Sequence, residues 1–155
     1  MANVFEEKMK AYLALHIPAA EHMAFEQSCH SVAEAAEAAN ADTKDLVKNV
    51  CMIDADNNLI VAIVHGPDRA STSRVAKALD CVRPRLATAD EILHMSGYPC
   101  GGTPSFGFAA TFLVDPRVAE RETVITGGGS EKSLVRLKTR DLLAANNAQI
   151  VRVRK

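Results

Sequence analysis

Val47-Lys-Asn-Val-Cys-Met-Ile-Asp54 and Leu59-Ile-Val-Ala-Ile-Val-His65, joined by Ala55-Asp-Asn-Asn58, form the stretch from which the fold can be read. Two apolar runs of strand length bracket a segment whose Asp and Asn tolerate turn geometry, which predicts an antiparallel hairpin. Gly66-Pro67-Asp68 closes the second strand.

Working outward, short helices and short strands alternate without a regular repeat. Before the hairpin, Val4, Phe5, Met9, Tyr12 and Leu13 fall near helical spacing, and Pro18 ends that helix, so residues 1–17 are expected to be an N-terminal helix. His22–Glu26 reads as a short strand. Ser31-Val-Ala-Glu34 is a capping box opening an alanine-rich helix to Ala39. After the hairpin, Ser71 or Ser73 caps a helix through Leu79, and Arg85–Ala87 reads as a brief strand. A second box, Thr88-Ala-Asp-Glu91, opens a helix that should stop at Gly97. Thr111–Val114, Glu122–Thr126, Ser133–Leu137 and Gln149–Val153 read as strands, with a short helix over Thr139–Ala145. The expectation is one α+β domain over residues 1–155, with a mixed, barrel-like sheet flanked by short helices.

Composition narrows the function. The 155 residues leave room for one domain at roughly 100–200 per domain, too few for a synthetase-sized enzyme. Five Phe, two Tyr and no Trp make a base-stacking platform a poor fit. The net charge of -1 hides an asymmetry: residues 1–56 carry ten acids against four bases, whereas residues 132–155 carry Asp141 against seven bases. That basic end is either a solvated face or a local contact for phosphates. Cys29, Cys51, Cys81 and Cys100 form no CxxC, and the five histidines form no HxxxH, so no metal site and no disulfide framework is expected. No apolar run approaches the roughly 18 residues of a membrane span, and no signal peptide is evident, so the expected setting is cytoplasmic.

Three places could carry chemistry. Ser96-Gly-Tyr-Pro-Cys-Gly-Gly-Thr-Pro-Ser-Phe-Gly107 holds four Gly and two Pro in twelve residues. It reads either as a tight connection or as a loop whose backbone amides approach an oxyanion. Cys100 within it is a weaker candidate nucleophile. Lys48 interrupts an apolar strand and either snorkels to the surface or points into a cleft to bind a phosphate or carboxylate. Asn49 falls on the opposite strand face, so simple alternation keeps the pair out of one pocket. Gly127-Gly-Gly129 is a strand turn by default and an anion-binding nest as the alternative.

Taken in order, Phe25–Ala36, Asp45-Leu-Val-Lys-Asn-Val50, the Leu59–Gly66 strand, Leu86–Ile92, the 96–107 loop and Gly127–Leu143 resemble the YbaK/EbsC family. These are aminoacyl-tRNA deacylases related to the editing domain inserted in bacterial prolyl-tRNA synthetase. The resemblance covers nearly the whole chain from residue 22 onward. It implies a trans-acting editing hydrolase that cleaves the ester of misacylated tRNA, with tRNA-Pro-type substrates first among them and no metal, cofactor or covalent intermediate.

The resemblance also implies roles for particular residues. Lys48 would bind the terminal phosphate or the substrate, and the amides of Gly101, Gly102 and Thr103 would hold the aminoacyl carbonyl while water attacks. A ribose hydroxyl of the terminal adenosine would help position that water. Asn49, Pro104, Ser105, Phe25, His30 and Gly128 would contribute to substrate binding. The implied partners are the aminoacyl-tRNA 3′ end and an aminoacyl-tRNA synthetase, with the basic C-terminal segment as a docking face. Two departures stand out: Ser105 occupies the place of a family proline, with Pro104 one residue early, and Gly127–Gly129 supplies no histidine where some relatives have one. A non-catalytic tRNA- or synthetase-binding module and a small-molecule binder are the alternatives.

Overall fold

The computed structural model describes residues 3–155, so Met1 and Ala2 of the expected 1–17 helix lie outside the described residues. The hairpin forms as read. Strand β2 (Val47–Ile53) pairs antiparallel with β3 (Leu59–His65) from Val47↔His65 to Ile53↔Leu59. Its turn is held by the Asp54 carboxylate, which accepts from the Asp56 and Asn58 N–H groups at 2.9 and 2.8 Å.

The chain begins with α1 (Val4–His16), β1 (Glu21–Ala24) and α2 (Val32–Ala39), and a 3-10 turn over Thr43–Asp45 leads into β2. After β3 follow α3 (Thr72–Leu79), β4 (Arg85–Leu86), α4 (Ala89–Ser96) and β5 (Thr111–Val114). The chain continues through α5 (Pro116–Ala119), β6 (Thr123–Gly127), β7 (Ser133–Lys138), α6 (Thr139–Asn146) and β8 (Gln149–Ile150). Both capping boxes are made, at Ser31/Glu34 and Thr88/Glu91. Arg85 adds a bidentate contact to Glu91 at 2.7 and 2.8 Å, and these bonds with that from the Thr88 N–H pull the Glu91 carboxyl down to about 2.

The strands form two sheets rather than the barrel-like sheet expected: five strands in the order β4-β2-β3-β5-β8, and three in the order β1-β7-β6. β3 and β5 are parallel, as are β5 and β8, so the larger sheet is mixed. Among the described residues one isolated bridge, Leu46↔Ile125, links the two sheets, and no ladder closes them into a ring. The main core lies between them: Val61, Ile63 and Val114 face Val124, Val135 and Leu137, and Met9 and Leu13 of α1 and Leu142 of α6 complete it. The outer face of the larger sheet packs Ile60, Ala62 and Val64 against Val75 of α3, and that of the smaller packs Ile125 and Leu134 against Ala35 and Ala36 of α2. β3 is covered on both sides, which is why it is apolar without alternation.

The C-terminal end departs from the reading of a strand through Val153. β8 stops at Ile150 because the chain then turns to the buried Asp115 carboxylate. That carboxylate accepts from the Val153 and Arg154 N–H groups at 3.1 and 3.2 Å and from the Arg154 guanidinium at 2.8 Å. Burial pushes the Asp115 carboxyl up, but these bonds and one from the Arg117 N–H outweigh it and hold it below the ordinary range. The same Arg117 N–H bond caps α5, an element signalled only by Asp115-Pro116. Arg154 is therefore committed to an internal ion pair, which removes it from a freely available basic docking face.

Candidate functional site

Strand β4 pairs with β2 only at Met52 and Ile53, so residues 48–50 of β2 have no ladder partner on that edge. A cleft of about 270 Å³ opens along it. Lys48, Asn49 and Val50 form one wall, Cys100, Gly101 and Thr103 another, and Thr126 and Gly127 of β6 close the end. Ser31, Val32 and Ala35 bring the capped N-terminal turn of α2 to the rim. Both residues line the cleft although strand alternation holds: Asn49 bonds to Thr103 and Thr126, whereas the charges nearest Lys48 are Arg69 and Asp68.

Lys48 is half-buried and has no carboxylate partner among the described residues. Burial first, and then the Arg69 guanidinium, lower its pKa, while Asp68 opposes the shift. Asp68 is itself engaged by Arg117 at 3.0 Å. The result is an ammonium whose charge is not satisfied by the protein.

Asn49 organises the glycine-rich loop. Its amide donates to the Thr103 carbonyl at 3.0 Å and to the Thr126 hydroxyl at 2.9 Å, and its Oδ1 accepts from the Ser105 hydroxyl at 2.6 Å. The Ser105 and Thr126 hydroxyls are themselves 2.7 Å apart, closing a triangle in which every member is satisfied. Asn146 of α6 holds the Ser105 carbonyl from the other side at 3.0 Å. Ser105→Ala leaves Asn49 Oδ1 without its donor and is expected to cost about 1–3 kcal/mol in chemical denaturation. A midpoint equal to the parent's would exclude that bond as a support of the loop.

The loop then crosses the smaller sheet's turn at close range. The Gly129 N–H donates to the Gly102 carbonyl at 2.8 Å, and the Gly102 N–H donates to Pro99 at 3.0 Å. A Cβ on Gly102 would lie 2.7 Å from backbone atoms of Gly129 and Ser130. Gly102 is therefore a backbone crossing with both polar groups used, not an amide available to a carbonyl. The N–H groups of Gly101 and Thr103 have no acceptor among the described residues. Gly101 adopts φ +90 beneath the ring of His30, which stands exposed at the rim 3.4 Å from Glu131.

Of the residues singled out from the sequence, Lys48, Asn49, Gly101, Thr103 and His30 line the cleft. Pro104 and Ser105 are buried beneath it, Gly128 is buried in the β6–β7 turn, and Phe25 packs against the α2 side of the smaller sheet. Thr126, Val32, Ala35 and Leu134 line the cleft without having been singled out. Only Thr126, placed against the Gly127 run, carried a local signal. Cys100 lines the cleft as an exposed thiol, and no histidine bonds to it. Among the described residues no group of three or more His, Cys, Asp or Glu could hold a metal, and no helix is long and apolar enough to cross a membrane.

The fold and cleft define a small α+β domain with a polar cleft at the seam of two sheets. Residues 26–145 match the family model of the aminoacyl-tRNA editing domain, and the chain belongs to that family. It is 29% identical over 103 residues to a proline--tRNA ligase of Anaeromyxobacter sp. (strain Fw109-5); the match takes in 64% of the chain but only 18% of that ligase. Two solved structures share the fold along almost their whole length. One, a candidate trans-editing enzyme for prolyl tRNA synthetase, superposes with a TM-score of 0.90 at 20% identity, covering 100% of this chain and 99% of that one. The other, hypothetical protein APE2540, superposes with a TM-score of 0.86 at 24% identity, covering 96% and 99%.

Proposed function

We propose that the chain is a trans-acting editing hydrolase that deacylates misacylated tRNA, with tRNA-Pro-type substrates first among them. The observation that carries this reading is the unpaired, half-buried Lys48 at a cleft lined also by Gly101 and Thr103, whose N–H groups have no acceptor among the described residues. Lys48 binds a phosphate at the tRNA 3′ end, and the two N–H groups receive the negative charge that develops on the ester carbonyl oxygen. Water adds to the carbonyl carbon, and the terminal ribose oxygen leaves with a proton. A ribose hydroxyl of the terminal adenosine positions that water. An ester is a reactive substrate, so positioning and oxyanion donors suffice, and one such donor is worth about 10²–10³ in rate.

Family membership and the partial likeness to a proline--tRNA ligase support this assignment. A synthetase as a second partner and a cytoplasmic setting belong to the same proposal. The departure at Pro104 and Ser105, which favoured a non-catalytic module, falls under the cleft floor rather than on its surface. Single-turnover incubation with a panel of mischarged tRNAs tests the reading: release of the amino acid from mischarged tRNA-Pro is expected. Retention of charged tRNA without release would replace the hydrolase with a binding module.

A further inference from the structure

Asn49 directs both of its amide N–H groups and its Oδ1 at other side chains and backbone of the protein. A carbonyl oxygen only accepts, so the 3.0 Å contact with the Thr103 carbonyl fixes which end of the amide faces it. The same Nδ2 group gives its second N–H to the Thr126 hydroxyl at 2.9 Å. Oδ1 is thereby turned to the Ser105 hydroxyl, which donates its one proton to it at 2.6 Å. Ser105 has no second proton, so in the 2.7 Å contact between the two hydroxyls Thr126 donates to Ser105. Donation runs one way round a closed ring, from Asn49 to Thr126, to Ser105 and back to Asn49 Oδ1. Such a ring has one arrangement of protons, and each of its bonds strengthens the next.

The ring works beneath the cleft. Ser105 is fully buried and is not among the lining residues. Asn49 and Thr126 do line the cleft, but their N–H and O–H groups are used inside the ring and on Thr103. The bond to the Thr103 carbonyl is the ring's connection to the glycine-rich loop. Thr103 is pinned a second time by its hydroxyl, which donates to the Pro99 carbonyl at 3.0 Å. A Cβ on Gly127 would collide with the Thr103 carbonyl, so β6 closes on the same group from the other side. Between these anchors the N–H of Thr103, a cleft-lining residue, is left with no acceptor among the described residues.

We propose that Asn49 is a positioning residue rather than a substrate contact: locked by Ser105 and Thr126, it holds Thr103 so that the Thr103 N–H stays available to the carbonyl oxygen of a bound ester. Ser105 and Thr126 act through Asn49. The assignment rests on the cleft being a deacylase site. An oxyanion donor is effective when it is already aimed as charge develops, so the ring contributes to the chemical step and not to affinity for tRNA.

Single-turnover release of amino acid from mischarged tRNA-Pro, normalised to folded protein, tests this. Ser105→Ala should lower the saturated rate by about tenfold, the effect of a slightly misplaced donor, with half-saturation within about twofold of the parent's. Ser105→Thr returns the hydroxyl and should return most of the rate. An added methyl strains a buried site, so Thr126→Val and Thr126→Ser form a second pair, the first removing the ring hydroxyl and the second keeping it; the same loss and recovery are expected. Asn49→Ala should lose rate as well, and adding Ser105→Ala to it should cost nothing further, because both act through one contact. A raised half-saturation with an unchanged rate in Asn49→Ala would make Asn49 a substrate contact. Parent-like rates in Ser105→Ala and Thr126→Val, or losses that multiply in the double variant, would overturn the ring's role. The deacylase reading is judged separately, on the parent: if it releases nothing from any mischarged tRNA, that reading fails. The positioning is then judged on the free protein by NMR, where the Thr103 amide resonance should move in Ser105→Ala and return in Ser105→Thr. An unmoved resonance would overturn it.

Discussion

Lys48→Ala is expected to lower kcat/KM for release of amino acid from mischarged tRNA by about 10²-fold, with the unfolding free energy within about 0.5 kcal/mol of the parent's. The magnitude follows from one charge-assisted contact to a phosphate in a partly desolvated cleft. The stability expectation follows from the absence of any partner that the alanine would strand: no carboxylate bonds to Lys48, and its charge costs free energy where it stands. Because burial and Arg69 lower its pKa, the protonated form is disfavoured in the folded state. Anion binding at this site should therefore fade as pH rises through a value below that of an ordinary lysine. Lys48→Arg keeps the charge at high pH and should extend binding into that range. Parent-like turnover by Lys48→Ala would remove the lysine from the mechanism.

The second large effect concerns stability. Asp115→Ala is expected to cost about 3–5 kcal/mol in chemical denaturation, as is usual when one partner of a buried ion pair is removed. Four donors converge on this carboxylate, and the substitution strands the Arg154 guanidinium together with the Arg117, Val153 and Arg154 N–H groups. Hydrogen exchange should quicken first at Val151–Arg154 and at Ser71, whose N–H donates to the Val153 carbonyl at 2.7 Å. Because its carboxyl is depressed in the folded state, the Asp115 contribution is in place above about pH 4, the unfolded value, and is lost as pH falls through the folded one. A loss under about 1 kcal/mol would show that the clamp relaxes rather than breaks.

Much of this architecture was legible because its signals are local. Two capping boxes, a turn over Ala55–Asn58 and an apolar run without alternation each act within a few residues, and each element formed where those signals put it. Partnerships across the chain were not legible. Nothing near Ser105 announces that its hydroxyl closes a triangle with Asn49 and Thr126, 56 and 21 residues away. The glycine loop drew attention for its composition, but composition does not say which glycine faces a ligand. Gly102 turned out to be the point where two backbones cross, and so a bulky residue there would test folding before it tested substrate entry. The basic C-terminal segment was visible as a charge excess, yet Asp115 had already claimed Arg154. The barrel-like expectation failed for a similar reason, since strand count does not report whether edge strands find each other.

The open edge of β2 has a bearing on handling the protein. Residues 48–50 carry backbone groups that a strand from another molecule could pair with, and the neighbouring β3 is among the most apolar segments of the chain. A lysine at such an edge opposes intermolecular strand addition, because pairing would bury its charge. Lys48→Ala is therefore expected to raise the tendency to self-associate. Light scattering on Lys48→Ala belongs beside its kinetics, so that lost turnover is not confused with lost monomer.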